Sequence, residues 1–243
     1  MKKIIGGNII FANIVRFVFD TSGLQALKIG ISSQYYSADF GGNNMKAFGN
    51  LPDGYREICS VDLKKDKKAA VYVNLLAIAI AVILVLPMNA IVPFYRSLVS
   101  QTDIKDILIK YVVLLVLMVL YVILHELVHG VAMRICGTKK VKYGFNGMYA
   151  FAGSDDYYDK TAYIFIALAP IVLWGVVLAV VNILVPAEWF WVIYIIQVLN
   201  LSGAAGDLYV SVKFSRLPRD ILVQDYGIGM VVYSGSNAGG TAR

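Results

Sequence analysis

The sequence predicts an all-α membrane protein: a bundle of four transmembrane helices, with both termini in the cytosol and a short cytosolic β-hairpin between helices 2 and 3. Hydrophobic residues occupy 58% of the 243 positions and charged residues only 16%, and the mean hydropathy is +0.67. Soluble domains are rarely so apolar. The charged residues also cluster between apolar runs, which is typical of a chain that crosses a membrane several times.

Four runs with few or no charged residues predict the four helices. Each exceeds the roughly 20 residues that a helix needs to cross about 30 Å of hydrocarbon. Pro170 is expected to kink the third helix, and Asp207 interrupts the fourth. The runs cover residues 69–95, 111–133, 161–187 and 189–212.

Lysine and arginine residues predict the orientation of the bundle. Most lie before the first run, after the second or after the fourth. Basic residues favour the cytosolic side of a membrane, so both termini are expected in the cytosol. The net charge of +6 then reflects membrane topology, and no nucleic-acid partner is expected. The basic residues assigned to the cytosol are Lys64, Lys65, Lys67, Lys68, Arg134, Lys139, Lys140, Lys142, Lys213, Arg216 and Arg219.

The composition divides the chain into three parts. Residues 1–50 are an N-terminal extension that begins with an apolar stretch, either an amphipathic helix on the membrane surface or a cleaved signal peptide. Polar interruptions in that stretch favour the surface helix. Residues 51–213 form the four-span membrane domain. Residues 214–243 form a cytosolic tail, in which 221–233 could form short strands.

The chain has two histidines, and both lie in the segment His125-Glu126-Leu127-Val128-His129 of the second run. On a helix this spacing places both imidazoles on one face, where they can bind one zinc ion. Glu126 can then act as a general base toward a water at the metal. Polar side chains are costly inside a membrane, so the segment predicts a zinc site. The alternatives are exposed side chains at a helix end and a polar contact between helices.

A catalytic zinc ion usually has three protein ligands and one open position. Asp207 is the best candidate for the third ligand, because it precedes Lys213 by six residues, as His129 precedes Arg134 by five. Both side chains are then about 8–9 Å from the same membrane face. The alternative is an ion pair of Asp207 with a nearby basic residue. Cys136 lies about 10 Å from His129 along the helix, and the acids of the following loop are expected in solvent.

Asn146 and Gly147 lie between β-prone residues in the loop after the second run. Asn-Gly in this setting is a strong signal for a type I′ hairpin. A hairpin beside a hydrolytic site can accept an extended peptide as an additional strand. The alternative is a loop that only covers the end of the bundle. Asn146 is therefore a candidate substrate-binding residue.

Four motifs in residues 51–233 resemble those of a known family, the putative zincin peptidases, which are small bacterial membrane proteins similar to site-2 intramembrane proteases. In site-2 proteases a late span carries an asparagine, prolines and a zinc-binding aspartate. Asn200 and Asp207 match the asparagine and the aspartate, with Gly203 and Gly206 in place of prolines and a spacing one residue shorter. The resemblance implies that Asn200 and Gly203 bind substrate, and both glycines are expected to allow close helix approach. The motifs are Leu51-Pro52-Asp53-Gly54-Tyr55, His125-Glu126-Leu127-Val128-His129-Gly130, Ala167-Leu168-Ala169-Pro170 and Asn200-Leu201-Ser202-Gly203-Ala204-Ala205-Gly206-Asp207.

The leading hypothesis is a zinc-dependent endopeptidase that acts within the membrane or at its edge. It has Zn²⁺ as cofactor, Glu126 as catalytic residue, His125, His129 and Asp207 as ligands, and a membrane protein or peptide as substrate. A second hypothesis is a catalytically idle zinc-binding protein that acts as a partner or clamp, which the intact Glu126 disfavours. A third is a proton or metal transporter, which would need further acids inside the membrane.

Overall fold

The computed structural model describes residues 35–40, 43–95, 103–145, 150–227 and 229–235. Within these ranges lie eight β-strands and five α-helices, numbered here in chain order. The surface helix predicted near the N-terminus lies outside the described residues, as does the tip of the predicted hairpin with Asn146.

The helices of the described part are α1 (Lys67–Ile91), α2 (Ile104–Ile135), α3 (Lys160–Leu184), α4 (Phe190–Gly203) and α5 (Ala205–Ser215). They form four stretches that are long and apolar enough to cross a membrane, as predicted. The side chain of Asp66 accepts a hydrogen bond from the Ala69 amide at the start of α1, and Asp159 caps α3 in the same way. Such caps satisfy backbone N–H groups that have no partner in the first turn.

The fourth membrane-crossing stretch is broken into two helices. Helix α4 ends at Gly203, and Ala204 leaves helical geometry with φ −84° and ψ 18°. Helix α5 then begins at Ala205, which places Asp207 in its first turn. A negative charge interacts favourably with the positive end of the helix dipole at that position.

Helix α4 packs against α1, α2 and α3. Its side chains Trp191 and Tyr194 are buried and donate hydrogen bonds to the carbonyls of Val92 and Leu84, at 2.9 and 3.1 Å. Helices α1 and α2, by contrast, expose many large apolar side chains, among them Leu86 and Leu115. Faces of this kind suit contact with lipid tails.

The prediction of an all-α fold is wrong, because the described residues also form a six-stranded antiparallel sheet. Short strands at 221–233 were expected, but the others were not. Residues more than 100 positions apart pair in it, as Ala47 does with Tyr158, and no local pattern signals such pairing. The strand order is β1 (Tyr35–Phe40), β2 (Asn43–Phe48), β6 (Tyr157–Asp159), β7 (Leu222–Asp225), β8 (Met230–Ser234) and β3 (Arg56–Val61).

The strands of the sheet come from all three predicted parts of the chain. The division of the chain at residues 51 and 214 stays a prediction. It packs against the ends of α2, α3 and α5. The Ala47 amide donates a hydrogen bond to the Cys136 carbonyl at the end of α2, at 3.0 Å. The core between sheet and helices includes Ala47, Val61, Met133, Cys136, Tyr158, Tyr163, Phe214, Val223 and Val232.

The predicted hairpin is present as β4 (Lys142–Phe145) and β5 (Ala150–Gly153), which pair antiparallel. One of its aromatic side chains rests on the second helix: the Tyr143 hydroxyl lies over Gly130 of α2, where an added Cβ would overlap it. Gly130 therefore lets the hairpin approach the helix closely, next to His129.

Replacing Gly130 by alanine tests this contact. The new methyl group overlaps the end of the Tyr143 side chain, so this half-exposed ring must turn away from the helix. The expected cost lies near the low end of the roughly 1–3 kcal/mol that overpacking causes. We expect a lower melting temperature for the purified protein in detergent, measured by scanning fluorimetry. Gly206→Ala is the control, because a Cβ there meets no atom within 4 Å. Equal melting temperatures for Gly130→Ala and wild type would contradict the importance of the contact.

Candidate metal centre

His125, Glu126 and His129 lie together in the C-terminal part of α2. Their candidate ligand atoms are all within 4.8 Å of one another, as the helical spacing requires. The two imidazoles are buried, with 8% and 9% of their residue surfaces exposed. Their ring centroids are 4.9 Å apart. The segment is thus a compact polar group within the bundle and is not an exposed helix end.

Asp207 of α5 faces both histidines of α2. Its Oδ2 atom is 3.5 Å from Nε2 of His125 and 3.7 Å from Nε2 of His129. The break at Ala204 allows this approach, because Asp207 projects from the first turn of a new helix. The two side chains therefore lie close together, and their common depth in the membrane stays a prediction.

A proline in α3 explains the orientation of His129. Its Nδ1 atom is 2.9 Å from the carbonyl oxygen of Ile166. A carbonyl only accepts, so Nδ1 carries the proton and Nε2 has a free lone pair. In a regular helix that carbonyl accepts from the residue four positions later. Here that residue is Pro170, which has no N–H, so the oxygen is available to the imidazole.

Two further side chains hold His125. The Tyr121 hydroxyl donates to Oδ1 of Asn200 at 2.9 Å, and the Asn200 amide donates to the Ile171 carbonyl at 3.1 Å. Because the single hydroxyl proton of Tyr121 is used on Asn200, its oxygen accepts from Nδ1 of His125, 2.8 Å away. His125 therefore also carries its proton on Nδ1 and has a free lone pair on Nε2.

When both imidazoles are neutral, three acceptor atoms consequently face one another: the Nε2 atoms of His125 and His129 and a carboxylate oxygen of Asp207. Lone pairs directed at a carboxylate repel it unless a cation lies between them. Ligand atoms that share one tetrahedral zinc ion at about 2.0–2.2 Å are about 3.3–3.6 Å apart, and the distances from Asp207 are 3.5 and 3.7 Å. Two imidazoles and one carboxylate are also a known donor set for catalytic zinc. These residues therefore fit the metal.

A cavity of about 480 Å³ opens beside these atoms. Its size lies within the range of small-molecule binding sites, about 300–1,000 Å³. Glu126, Asp207 and both histidines line it, together with residues of all five helices and of three strands, and its lining contains no lysine or arginine. The cavity can therefore bring a short segment of a ligand to the metal-binding atoms.

Strand β5 forms one wall of this cavity. Ala150, Phe151 and Ala152 line it, and the backbone N–H of Ala152 points at the Glu126 carboxylate. Among the described strands, β5 pairs with β4 alone, so its second edge has no strand partner there. The Phe151 ring packs on Gly227, whose φ of +89° also favours glycine. This contact joins the hairpin to the large sheet.

The three residues predicted to contact substrate have different positions. Asn200 is fully buried and is not part of the cavity lining. Gly203 does line the cavity, as does Gly206. The expectation that these glycines allow close helix approach is wrong, since a Cβ at Gly206 meets nothing within 4 Å and one at Gly203 meets only Leu199 of the same helix. Asn146 lies outside the described residues.

The groups disfavoured as a third ligand lie away from the cavity. Cys136 is completely buried in the core below the sheet. Burial and the nearby Asp159 carboxylate raise the pKa of its thiol to about 12, so it keeps its proton. Asp155 pairs with Lys142 at 2.6 Å, and Asp159 caps α3.

Two residues of the site were not predicted. Tyr121 lies four residues before His125, and this spacing placed it on the histidine face of α2. Asp225 ends β7 and lines the cavity, where its carboxylate accepts hydrogen bonds from the Gly227 amide at 2.8 Å and the Tyr163 hydroxyl at 3.3 Å. Burial raises the pKa of Asp225 from 3.8 to about 6. A single acidic residue in a short strand gives no pattern in the sequence from which its place in a cavity could be predicted.

The raised pKa of Asp225 predicts a pH-dependent effect of Asp225→Asn. The folded protein holds this proton more tightly than the unfolded chain, so its contribution to stability is complete below about pH 4 and is lost as the pH rises through about 6. The asparagine side chain of the variant would stay neutral at every pH. Its oxygen can accept from the Gly227 amide and its NH₂ group can donate to the Tyr163 hydroxyl oxygen, whose proton can go to the Met230 sulfur. We expect the variant to be more stable than wild type at pH 7.5, by about 3 kcal/mol at most, and equal to it at pH 4. Thermal melts of the metal-free proteins at both pH values measure this, and a larger gain at pH 4 would contradict it.

No curated protein and no solved structure matches this chain. One family model does match, over the stretch that contains the His-Glu-His group, Pro170 of α3 and the helix break before Asp207. Residues 118–222 match the family described as "Putative zincin peptidase", and together with the His125, Glu126 and His129 group this supports a zinc metallopeptidase role.

Proposed function

We propose that this protein is a zinc-dependent endopeptidase that cleaves membrane proteins or peptides within the membrane or at its cytosolic edge. The observation that carries the proposal is the convergence of two imidazole Nε2 atoms and the Asp207 carboxylate beside Glu126. The four apolar helical stretches that surround this group support a site at membrane depth. His125, His129 and Asp207 are the proposed ligands, and Glu126 is the proposed catalytic residue.

The proposed mechanism assigns proton transfer to Glu126. Zinc held by the three ligands would supply a Lewis acid that polarises the scissile carbonyl and acidifies water. Glu126, whose carboxylate borders the cavity, takes the proton of the attacking water and later gives it to the leaving amine. The Ala152 amide that points at Glu126 orients this carboxylate toward the cavity. Asp207 and the imidazoles need not exchange protons, because both Nδ1–H groups are engaged elsewhere.

The second edge of β5 is the proposed place for the substrate backbone. A helical segment hides its carbonyl groups in its own hydrogen bonds, so a transmembrane substrate must be unwound before it can be cleaved. An extended segment can add to β5 as a third strand, which brings its carbonyls past Glu126. Gly203 and Gly206 line the same cavity and add no side chains to it, which supports a substrate-facing role for Gly203.

The distribution of basic residues supports an orientation in which both termini are cytosolic. Arg134, Lys139, Lys140 and Lys142 follow the helix end that carries the histidines. The sheet and the hairpin lie against that same end. In this orientation the cavity faces the cytosolic half of the membrane, and substrates are cleaved near that surface.

Glu126→Gln tests the catalytic assignment. Glutamine keeps the shape of the side chain but cannot accept the proton, so we expect cleavage to fall by about 10²–10⁴-fold while zinc content is unchanged. The assay uses a synthetic library of peptides with apolar centres, incubated with the full-length protein in detergent and read by mass spectrometry. Glu188→Gln, an exposed glutamate outside the site, is the control. Wild-type activity in Glu126→Gln would exclude the mechanism.

Asp207→Asn tests the third ligand. The amide keeps the size of the side chain but is neutral, and it is a much poorer zinc ligand than a carboxylate. We expect zinc affinity to fall by more than the 10–100-fold typical of outer hydrogen-bonding partners, measured by competition with a chelator. Asp53→Asn, at an exposed turn, is the control. If Asp207→Asn binds zinc as tightly as wild type, Asp207 is not a ligand.

A further inference from the structure

We propose that α3 positions both imidazoles for the metal through two separate routes: directly from the Ile166 carbonyl to His129, and through Asn200 and Tyr121 to His125. Pro170, Asn200 and Tyr121 are then positioning residues, which act on the metal through the histidines and do not contact it. This inference rests on the proposed zinc site. It gives Asn200 a role other than the substrate contact that the resemblance implied.

The direction of each hydrogen bond along the two routes is fixed by the groups at their ends. Both routes start at backbone carbonyls of α3, which can only accept, and this fixes every proton along them. The Ile171 carbonyl takes an amide proton of Asn200, so the Asn200 oxygen is free to accept from Tyr121, at 2.9 Å. The hydroxyl oxygen of Tyr121 is left to accept from His125, at 2.8 Å. No hydrogen bond of this route can reverse its direction without leaving a buried polar group unpaired.

The route that ends at His125 runs through buried side chains. Asn200 has 0% and Tyr121 7% of its surface exposed. The route links α2, α4 and α3 through side chains that are buried in the bundle. A broken hydrogen bond there is expensive, so the imidazole has little freedom to turn or to exchange tautomers.

The route that ends at His129 depends on Pro170. Its missing N–H leaves the Ile166 carbonyl without its usual partner in the helix, and the His129 Nδ1–H occupies that place at 2.9 Å. A residue with an N–H at position 170 would compete for the same oxygen. The missing N–H of Pro170 therefore positions the His129 imidazole, whereas Asn200 and Tyr121 position that of His125.

The presence of only two histidines in the chain makes a direct test possible. In zinc-loaded, full-length protein labelled with ¹⁵N-histidine, each imidazole should give one Nδ1–H signal that is protected from exchange. Tyr121→Phe should shift or lose the His125 signal and leave that of His129 unchanged. Pro170→Ala should do the reverse, so each variant is the control for the other.

Zinc affinity provides the second measurement, again by chelator competition. Tyr121→Phe and Asn200→Leu should each weaken zinc binding by about 10–100-fold. Asn200→Leu should add no further loss in the Tyr121→Phe background, because both act through one imidazole. Trp174→Phe is the matched control, since Trp174 packs edge-on against Tyr121 without a hydrogen bond to the route, and it should bind zinc as wild type does. Asn200→Ala replaces Asn200→Leu if leucine prevents folding.

The outcomes separate this inference from the proposed function. A wild-type protein that binds no zinc overturns both. A wild-type protein that binds zinc, with unchanged affinity and unchanged Nδ1–H signals in Tyr121→Phe, overturns the positioning role alone. Additive losses for Tyr121→Phe and Asn200→Leu would also overturn it, because they indicate that each residue only stabilises helix packing.

Discussion

The structure depends on one constraint: the Nε2 atoms of His125 and His129 and an oxygen of Asp207 point at the same place, and with neutral imidazoles all three atoms are acceptors. Three acceptors in an apolar bundle repel one another unless a cation joins them. The helical spacing of the histidines, the break before Asp207 and the hydrogen bonds to α3 all serve this arrangement. A zinc ion is the partner that fits the donor atoms and their separations.

Irregular backbone is concentrated around this group. Pro170 interrupts the hydrogen-bond ladder of α3 and so frees a carbonyl for His129. Ala204 ends one helix and starts another, which aims Asp207 at the histidines. Gly130 lets the hairpin rest on α2 through Tyr143. In a membrane such departures persist only where other groups satisfy the backbone, and here the side chains of the site provide part of that compensation.

The sheet and the helices make different contributions to the candidate site. The helices supply the proposed ligands and the general base, and they hold them close together. The sheet and the hairpin close the cavity from one end, where β5 offers its second edge and Asp225 adds a buried carboxyl group. The proposed chemistry therefore belongs to the helices, while access to it is shaped by strands.

The sequence by itself determined the four apolar stretches and the His125 to His129 segment, because these follow from hydrophobic length and from helical spacing, which are local properties. Only the tertiary structure decided the six-stranded sheet, whose strands are short and pair across more than 100 residues. It also decided the position of Asn200, because whether an amide faces a cavity or a tyrosine depends on three helices at once. The tertiary structure also decided which nitrogen of each imidazole carries the proton. This depends on hydrogen-bond partners on α3 and α4, and the spacing of the histidines does not predict it.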